Sequence, residues 1–315
     1  MDFHAQAKQL VSQMTLREKA SLLSGADNWR TKSVPRLGLP SIAVSDGPHG
    51  LRKEVVDPKK GKYTVPATCF PTAAALACSF DRTLIRRIGA ALAGECRANG
   101  VSVLLGPGLN IKRSPLCGRN FEYFSEDPVV AGELAGSYIA GVQGEQVGTS
   151  MKHFALNNQE LRRLTVDAVA DERAMFEIYL SGFERAIQIE QPWTVMCSYN
   201  RVKGVNASDN KWLLGDVLRT KFGYKGLVVS DWGAVFNRVN GVLAGLDLEM
   251  PFVGPYHDRQ IEKAVQKGAL PEQAVDVCAA RVVELALKGG ELSSAPFDPE
   301  AHHALAREAA ASSAV

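Results

Sequence analysis

The fold is indicated most clearly by one stretch of the chain, Gly226-Leu227-Val228-Val229-Ser230-Asp231-Trp232-Gly233. A short apolar run here ends at a carboxylate, an indole and a glycine. This pattern is typical of a buried parallel strand whose last residues emerge at the chemically active edge of a barrel or open sheet. Asp231 is therefore the first candidate for a catalytic residue. An aspartate after a strand also often caps the next helix or turn, so the other strand ends must decide between these interpretations.

Length and composition set the class of protein. The chain has 315 residues, of which 46% are hydrophobic and 22% are charged, enough for one α/β barrel of about 250 residues with extensions. Its 36 basic and 34 acidic residues give a net charge of +2. No basic stripe of the kind that binds phosphate backbones is present, so nucleic acid is not expected as a partner.

Targeting and redox features are also informative. The first eight residues lack the apolar core of a secretion signal, and no apolar run reaches membrane-spanning length, so we predict a soluble, cytoplasmic protein with no membrane partner. A removed signal would leave no trace, and secretion stays open. The six cysteines are scattered without a Cys-x-x-Cys pair. Neither a zinc site nor a disulfide scaffold is indicated, and no metal or cofactor is expected.

Strand and helix patterns alternate along the chain. Strands are predicted at residues 41–45, 73–79, 101–105, 149–154, 194–198, 226–230 and within 243–251. Helices are predicted at residues 3–14, 15–25, 81–99, 127–143, 171–188, 209–222, 258–267 and 271–288, and a solvated lysine-rich loop at 57–62. This alternation predicts a parallel, TIM-like α/β barrel. A doubly wound open sheet is the alternative, but the sequence lacks the glycine-rich dinucleotide fingerprint that it would usually carry.

Polar and aromatic residues follow the predicted strands. In a barrel the C-terminal strand ends share one face, and this rule gathers Asp46, Arg52, Arg119, Lys152, His153, Tyr199, Asp231, Trp232 and Glu249. Each residue alone has a structural alternative, such as capping, ion pairing or packing in the core. Together they suit a polyhydroxylated ligand, because charged groups bind hydroxyls while an indole covers the apolar face of a sugar ring.

Five segments resemble the N-terminal domain of family 3 glycoside hydrolases, in the β-glucosidase branch. They are SDGPHGLR (45–52), GRNFEYFSEDP (118–128), KHFALNNQE (152–160), MCSYN (196–200) and VSDWGA (229–234). The resemblance extends from about residue 5 to the C-terminus. It implies a TIM-like barrel and a retaining, exo-acting β-glucosidase that releases terminal β-D-glucosyl residues from β-glucosides or oligosaccharides.

The resemblance also assigns residues. It implies that Asp231 is the nucleophile and that the terminal sugar is surrounded by Asp46, Arg52, Arg119, Lys152, His153, Arg163, Tyr199 and Trp232. One position departs from the pattern. Where the family usually has a small or polar residue and an asparagine before the arginine, this chain has Leu161 and Arg162 before Arg163. The additional arginine is expected to alter the rim of the sugar pocket.

A retaining glycosidase needs a second carboxylate as acid and base, which in this branch lies on an α/β-sandwich domain after the barrel. We therefore expect residues 1–295 to form the barrel, residues 296–315 to form a linker and the start of a second domain, and the acid/base residue to lie beyond this chain. The chain alone would then be an impaired hydrolase. The alternatives are a non-catalytic sugar-binding barrel, or one half of a two-chain enzyme. The expected protein partner is a second-domain chain or a second copy in a homodimer. A Schiff-base role for Lys152, as in barrel aldolases, is a further alternative.

Overall fold

A computed structural model describes residues 2–315; Met1, where the predicted barrel domain begins, lies outside the described residues. Residues 2–315 contain eleven α-helices: α1 (Phe3–Ser12), α2 (Leu16–Leu22), α3 (Ala73–Ala77), α4 (Arg82–Ala98), α5 (Pro128–Gly144), α6 (Glu172–Ala174), α7 (Ser181–Ile189), α8 (Arg238–Ala244), α9 (Tyr256–Gln266), α10 (Glu272–Gly290) and α11 (Pro299–Ser312). The same residues contain ten short strands: β1 (Val44–Ser45), β2 (Glu54–Asp57), β3 (Gly61–Thr64), β4 (Val103–Leu104), β5 (Gly148–Phe154), β6 (Asp167–Ala168), β7 (Thr194–Cys197), β8 (Arg201–Val202), β9 (Val205–Asn206) and β10 (Leu227–Ser230).

The described residues group into two compact units, each assembled from separate parts of the chain. The first unit contains residues 2–43, 163–169 and 193–291. The second unit contains residues 44–162, 170–192 and 292–315.

The second unit is built on three parallel strands. β1 pairs with β4, and β4 pairs with β5. Helices α4 and α5 connect these strands in sequence, as parallel strands require. Asp81 and Asp127 cap the two helices, each accepting two backbone N–H groups, which confirms both predicted helix starts. The helices approach closely at Gly141, where a Cβ atom would lie 2.1 Å from the Arg86 carbonyl oxygen.

The first unit contains the strand predicted at residues 226–230. β10 pairs in parallel with β7 over four residues, and all four residues of each strand are buried. Leu248 bridges to Val229 beside β10. Helix α2 begins at the predicted capping box, in which Thr15 accepts from the Glu18 N–H and the Glu18 carboxylate accepts from the Thr15 N–H.

Two local predictions are wrong. Residues 73–79, predicted as a strand, contain helix α3, because a run rich in alanine favours a helix and Thr72 caps its start. The predicted strand within residues 243–251 begins too early, because Gly245, at a φ of +100°, ends helix α8 before the chain becomes extended. The solvated loop predicted at residues 57–62 is present as the exposed turn of the antiparallel β2–β3 hairpin, whose strands include the residues on either side of the turn.

Two predicted helices are present but interrupted by wider turns. Residues 171–188 include a π-helical segment at Met175–Tyr179, and residues 209–222 include another at Trp212–Lys221.

The last helix of the chain belongs to the second unit. Helix α11 packs along α4, with Ala309 buried. The boundary predicted at residue 295 stays a prediction. Among residues 2–315, no helix is long and apolar enough to cross a membrane.

Candidate active site

The predicted site residues fall into two groups, each connected by contacts within one unit. We call the group in the second unit the Lys152 cluster, which consists of Asp46, Arg52, Arg119, Glu122, Lys152 and His153. We call the group in the first unit the Asp231 cluster, which consists of Trp29, Arg163, Tyr199, Asp231 and Trp232. All nine residues that the family resemblance assigns to the site belong to one cluster or the other.

Lys152 is the centre of its cluster. It lies near the C-terminal end of β5, and only 4% of its surface is exposed. Its Nζ atom lies 3.0 Å from Asp46 Oδ1 and 3.6 Å from Glu122 Oε2. Arg52 donates to the other oxygen of Asp46 across 3.1 Å. A lysine is rarely buried so completely without such partners, so the two carboxylates explain its position.

Charge fixes the protonation of this group. Burial opposes ionisation of Asp46, but the Lys152 ammonium and the Arg52 guanidinium outweigh it and lower the pKa of the carboxyl. Burial likewise opposes the charged form of Lys152, but Asp46 and Glu122 raise the pKa of the amine above its usual value. The pair is therefore ionised at neutral pH, with ammonium hydrogens and carboxylate oxygens suited to sugar hydroxyls.

Arg119 joins His153 to this group. It donates through Nε to Glu122, and its Nη2 atom lies 3.1 Å from His153 Nε2. Burial alone would lower the pKa of Arg119, but the hydrogen bond and the charge of Glu122 outweigh burial and raise this pKa above its usual value. A guanidinium can only donate, so Nε2 accepts and the imidazole proton resides on Nδ1, which lies 2.9 Å from the Tyr123 hydroxyl. The Asn157 amide donates to the same hydroxyl.

His153 is held by its backbone as well. Its N–H donates to Asn110 Oδ1 across 2.8 Å, and its carbonyl accepts from the Asn110 amide across 2.9 Å. With 1% of its surface exposed, His153 has the features of the hydrogen-bonded core histidine that was the structural alternative. Its ring contacts nevertheless bring it to Arg119, within the cluster.

Replacing Lys152 with methionine is expected to destabilise the protein by about 3–5 kcal/mol at pH 7, because it leaves two neighbouring carboxylates without their shared cation. The deficit should shrink towards pH 5. In the wild type Lys152 lowers the pKa of Asp46, so in its absence Asp46 is protonated more easily and the uncompensated negative charge of the cluster falls. Urea denaturation at both pH values measures the change.

The matched control is Lys62→Met. Lys62 pairs with Glu54 across 2.8 Å on the β2–β3 hairpin, and 58% of its side chain is exposed. An exposed pair of this kind contributes about 0–1 kcal/mol. Equal losses in the two variants, or a Lys152→Met deficit that grows on acidification, would contradict the interpretation of the cluster.

Asp231 stands directly after β10, as predicted, with 7% of its surface exposed. Its Oδ1 atom accepts from the Trp232 N–H across 2.7 Å, and its carbonyl accepts from Ala234 N. The Gly233 N–H donates to the Met250 carbonyl, at a φ of +78° that favours glycine. The carboxylate is therefore oriented by a tight turn that is itself attached to the neighbouring segment.

Trp232, the residue after Asp231, belongs to a group of aromatic side chains. The Trp232 indole donates through Nε1 to the Asn28 carbonyl across 2.9 Å, and its ring centre is 5.4 Å from that of Trp29. The Tyr199 hydroxyl donates to the Trp232 carbonyl across 3.0 Å. Arg163 lies over the Tyr199 ring at 4.3 Å, a cation–π distance.

Glu249, the remaining strand-end candidate, has a different environment. Its carboxylate is almost fully buried, with both oxygens within 2.9 Å of His257 Nδ1 and one 3.7 Å from Arg238 Nε. Burial is the main cause of its raised pKa, which Arg238 and His257 partly offset. These contacts favour the ion-pairing alternative stated for Glu249.

The sequence interpretation missed several members of these networks. Trp29 lies in a loop with no strand before it, and its contact with Trp232 joins residues 203 positions apart, so no local pattern identifies it. Glu122 and Tyr123 lie within the quoted segment 118–128, which was the available signal. His49, in segment 45–52, was also unassigned; burial lowers its pKa to about 4, and it is neutral at pH 7.

Comparison with known proteins shows what this chain is similar to. Residues 27–285 match the model of the glycosyl hydrolase family 3 N-terminal domain. The chain is 54% identical to thermostable β-glucosidase B of Acetivibrio thermocellus and 48% identical to an exo-α-(1→6)-L-arabinopyranosidase of Bifidobacterium longum. These alignments cover 98% and 97% of this chain, but only 41% of each relative.

A solved structure supports the fold. β-Glucosidase 3B from Thermotoga neapolitana in complex with glucose superposes with a TM-score of 0.92 and 39% identity, over 98% of this chain and 47% of that one. The predicted TIM-like α/β fold is thereby confirmed. The family match covers more than half of the chain, so the protein belongs to glycosyl hydrolase family 3 and contains its N-terminal domain.

Proposed function

We propose that this chain contains the sugar-binding and nucleophilic part of a retaining, exo-acting β-glucosidase. The observation that carries the proposal is a buried carboxylate, Asp231, held directly after a parallel strand by the N–H of Trp232, whose ring contacts Trp29. Most of the relatives reported above are named β-glucosidases, and the glucose complex of the Thermotoga enzyme makes glucose the first sugar to test.

In the proposed reaction Asp231 attacks the anomeric carbon. The bond to the leaving oxygen breaks as the carboxylate bond forms, and a water molecule later hydrolyses the glycosyl-enzyme. The Trp232 N–H, bound to Oδ1, orients the carboxylate. Trp232 supplies the aromatic face that packs against a pyranose ring.

The Lys152 cluster is proposed to bind sugar hydroxyls. Asp46 accepts hydrogen bonds, while Lys152 and Arg119 donate them. The other predicted contacts are assigned to Arg52, His153, Arg163 and Tyr199. Since Lys152 is already paired at 3.0 Å with Asp46, these donors are preorganised before the sugar arrives, which lowers the ordering cost of binding.

We propose that the acid/base residue is supplied from outside residues 1–315, by a following domain or by a partner chain. The relatives are more than twice as long as the matched part, which leaves ample chain for such a domain. Two buried glutamates of this chain are already engaged, Glu122 by Arg119 and Lys152, and Glu249 by His257.

The alternative functions predict different properties of Lys152 and different behaviour towards glucosides. A Schiff-base lysine must lose its proton easily, and the raised pKa of Lys152 argues against that role. A non-catalytic sugar-binding barrel would bind glucose without releasing an aglycone. Two measurements separate these cases: turnover of dinitrophenyl glucoside, and glucose binding by calorimetry. We expect the chain to show both turnover and binding. Binding without turnover would support the non-catalytic barrel, and the absence of both would contradict the proposal. The arabinopyranosidase relative makes dinitrophenyl α-L-arabinopyranoside the comparison substrate.

A further inference from the structure

We propose that Glu95 and His302 are positioning residues that connect helix α11 to the loop formed by residues 46–52. This loop contains Asp46 and Arg52, and its sugar-binding role rests on the function proposed above. The connection itself rests on contacts within the second unit. It makes α11 a support for the loop.

Glu95 is the first step of the connection. It lies on α4 with none of its surface exposed, where a carboxylate needs strong partners. His302 of α11 supplies one, with Nδ1 2.8 Å from Glu95 Oε1. The Thr68 N–H supplies another, donating to Oε2 across 3.1 Å. One buried carboxylate therefore links α11 to the segment containing Thr68.

Thr68 packs against the 46–52 loop without a gap. A Cβ atom at Gly50 would lie 2.6 Å from the Thr68 carbonyl oxygen, so the two backbones are in direct contact. Within the loop, the Arg52 N–H donates to the Asp46 carbonyl across 2.9 Å. A displacement of Thr68 must therefore move the backbone that holds both side chains.

A second route leads from His302 through Phe70. The two ring centres are 6.2 Å apart, and His302 also stacks on Phe297 at 5.0 Å. The Phe70 N–H donates to the His49 carbonyl across 2.8 Å, and His49 Nε2 accepts from the Ala73 N–H at the start of α3. His302 is thus connected to residues 68–70 in two ways, directly at Phe70 and through Glu95 at Thr68.

The simpler interpretation is that His302 only attaches α11 to α4. The chain offers a control for this role, because Arg87 and Glu308 join the same two helices through two hydrogen bonds of 2.6 and 2.8 Å. About half of each of these side chains is exposed. Removing this pair weakens the attachment of α11 but leaves the Glu95–Thr68 hydrogen bond in place.

The test is backbone amide hydrogen exchange in the sugar-free, full-length chain. His302→Ala is expected to accelerate exchange in residues 46–52 and 66–72 by about tenfold, whereas Glu308→Ala should leave both segments near the wild-type rate. His302→Asn, whose side-chain amide can still donate to Glu95, should restore most of the protection. If His302→Ala does not fold, His302→Leu, which fills more of the same space but cannot donate to Glu95, takes its place with the same expectation.

Glucose binding gives the functional readout. His302→Ala should raise the Kd for glucose by about two- to tenfold, because ordering residues 46–52 then takes part of the binding free energy, with the energy of one hydrogen bond as the upper limit, and Glu308→Ala should not. Unchanged exchange in residues 46–52, or the same acceleration in Glu308→Ala, would overturn the proposal. If the wild type does not bind glucose, the proposed function fails, while the exchange result still decides the connection.

Discussion

Replacing Asp231 with asparagine is expected to lower the turnover of dinitrophenyl glucoside by about 10⁴-fold or more, because the amide cannot form the glycosyl-enzyme. A 2-fluoro glucoside with a good leaving group should add one glycosyl mass to the wild type, located at Asp231 by peptide mass spectrometry. The variant should not be labelled. Both measurements examine the same bond, one by rate and one by mass.

Asp167→Asn is the matched control in the same unit. Asp167 is exposed, and its carboxylate accepts from the Gly204 N–H across 3.0 Å, so this variant should be labelled and turn over like the wild type. Labelling of Glu249 or Glu122 in place of Asp231 would contradict the assignment of the nucleophile. Labelling that persists in Asp231→Asn would do the same.

The second large effect concerns the leaving group. Proton transfer to a departing oxygen contributes about 10²–10⁴ in rate, and we propose that its donor is not in this chain. Cellobiose and alkyl glucosides, whose leaving groups need a proton, should be nearly inert with the purified 315-residue chain. Dinitrophenyl glucoside, whose leaving group departs as a stable anion, should still glycosylate Asp231.

Azide provides the complementary measurement. The acid/base residue that we propose lies outside this chain would also activate the water that hydrolyses the glycosyl-enzyme. Without it the glycosyl-enzyme should accumulate, and a small anionic nucleophile should accelerate release of the sugar from Asp231. Efficient cellobiose hydrolysis that does not depend on azide would show that a carboxylate within this chain acts as the acid. Glu122, Glu160 and Glu249 would then be the first residues to replace.

Much of the fold could be predicted because its determinants are local. Three helices begin at a capping side chain only a few residues away, that of Asp81, Asp127 or Thr15. The apolar run ending at Asp231 is predicted as a buried strand, and the structure contains that strand. Helix α3 was missed because its apolar run shows no period that separates a short helix from a buried strand. Its alanine content was the usable signal.

The candidate site was predictable to the extent that strand ends share a face. That rule identified Lys152 and Asp46, but it gave no measure of how deeply Lys152 is buried. The remaining determinants join distant parts of the chain, such as His302 with Glu95, which are 207 positions apart. Such pairs leave no local pattern in one sequence, because only tertiary packing brings their atoms together.

The indole pair beside Asp231 has an optical consequence. Trp29 and Trp232 are two of only four tryptophans in the chain, and their rings are tilted by 37° at 5.4 Å. Chromophores this close and not parallel couple their electronic transitions, so the pair should contribute a signed couplet to the circular dichroism spectrum. Trp193 and Trp212 have lysine ammonium groups over their rings, and those contacts create no such coupling. The protein therefore contains a built-in chromophore pair at the proposed nucleophile, and a sugar that packs on either ring should change the couplet without any added label.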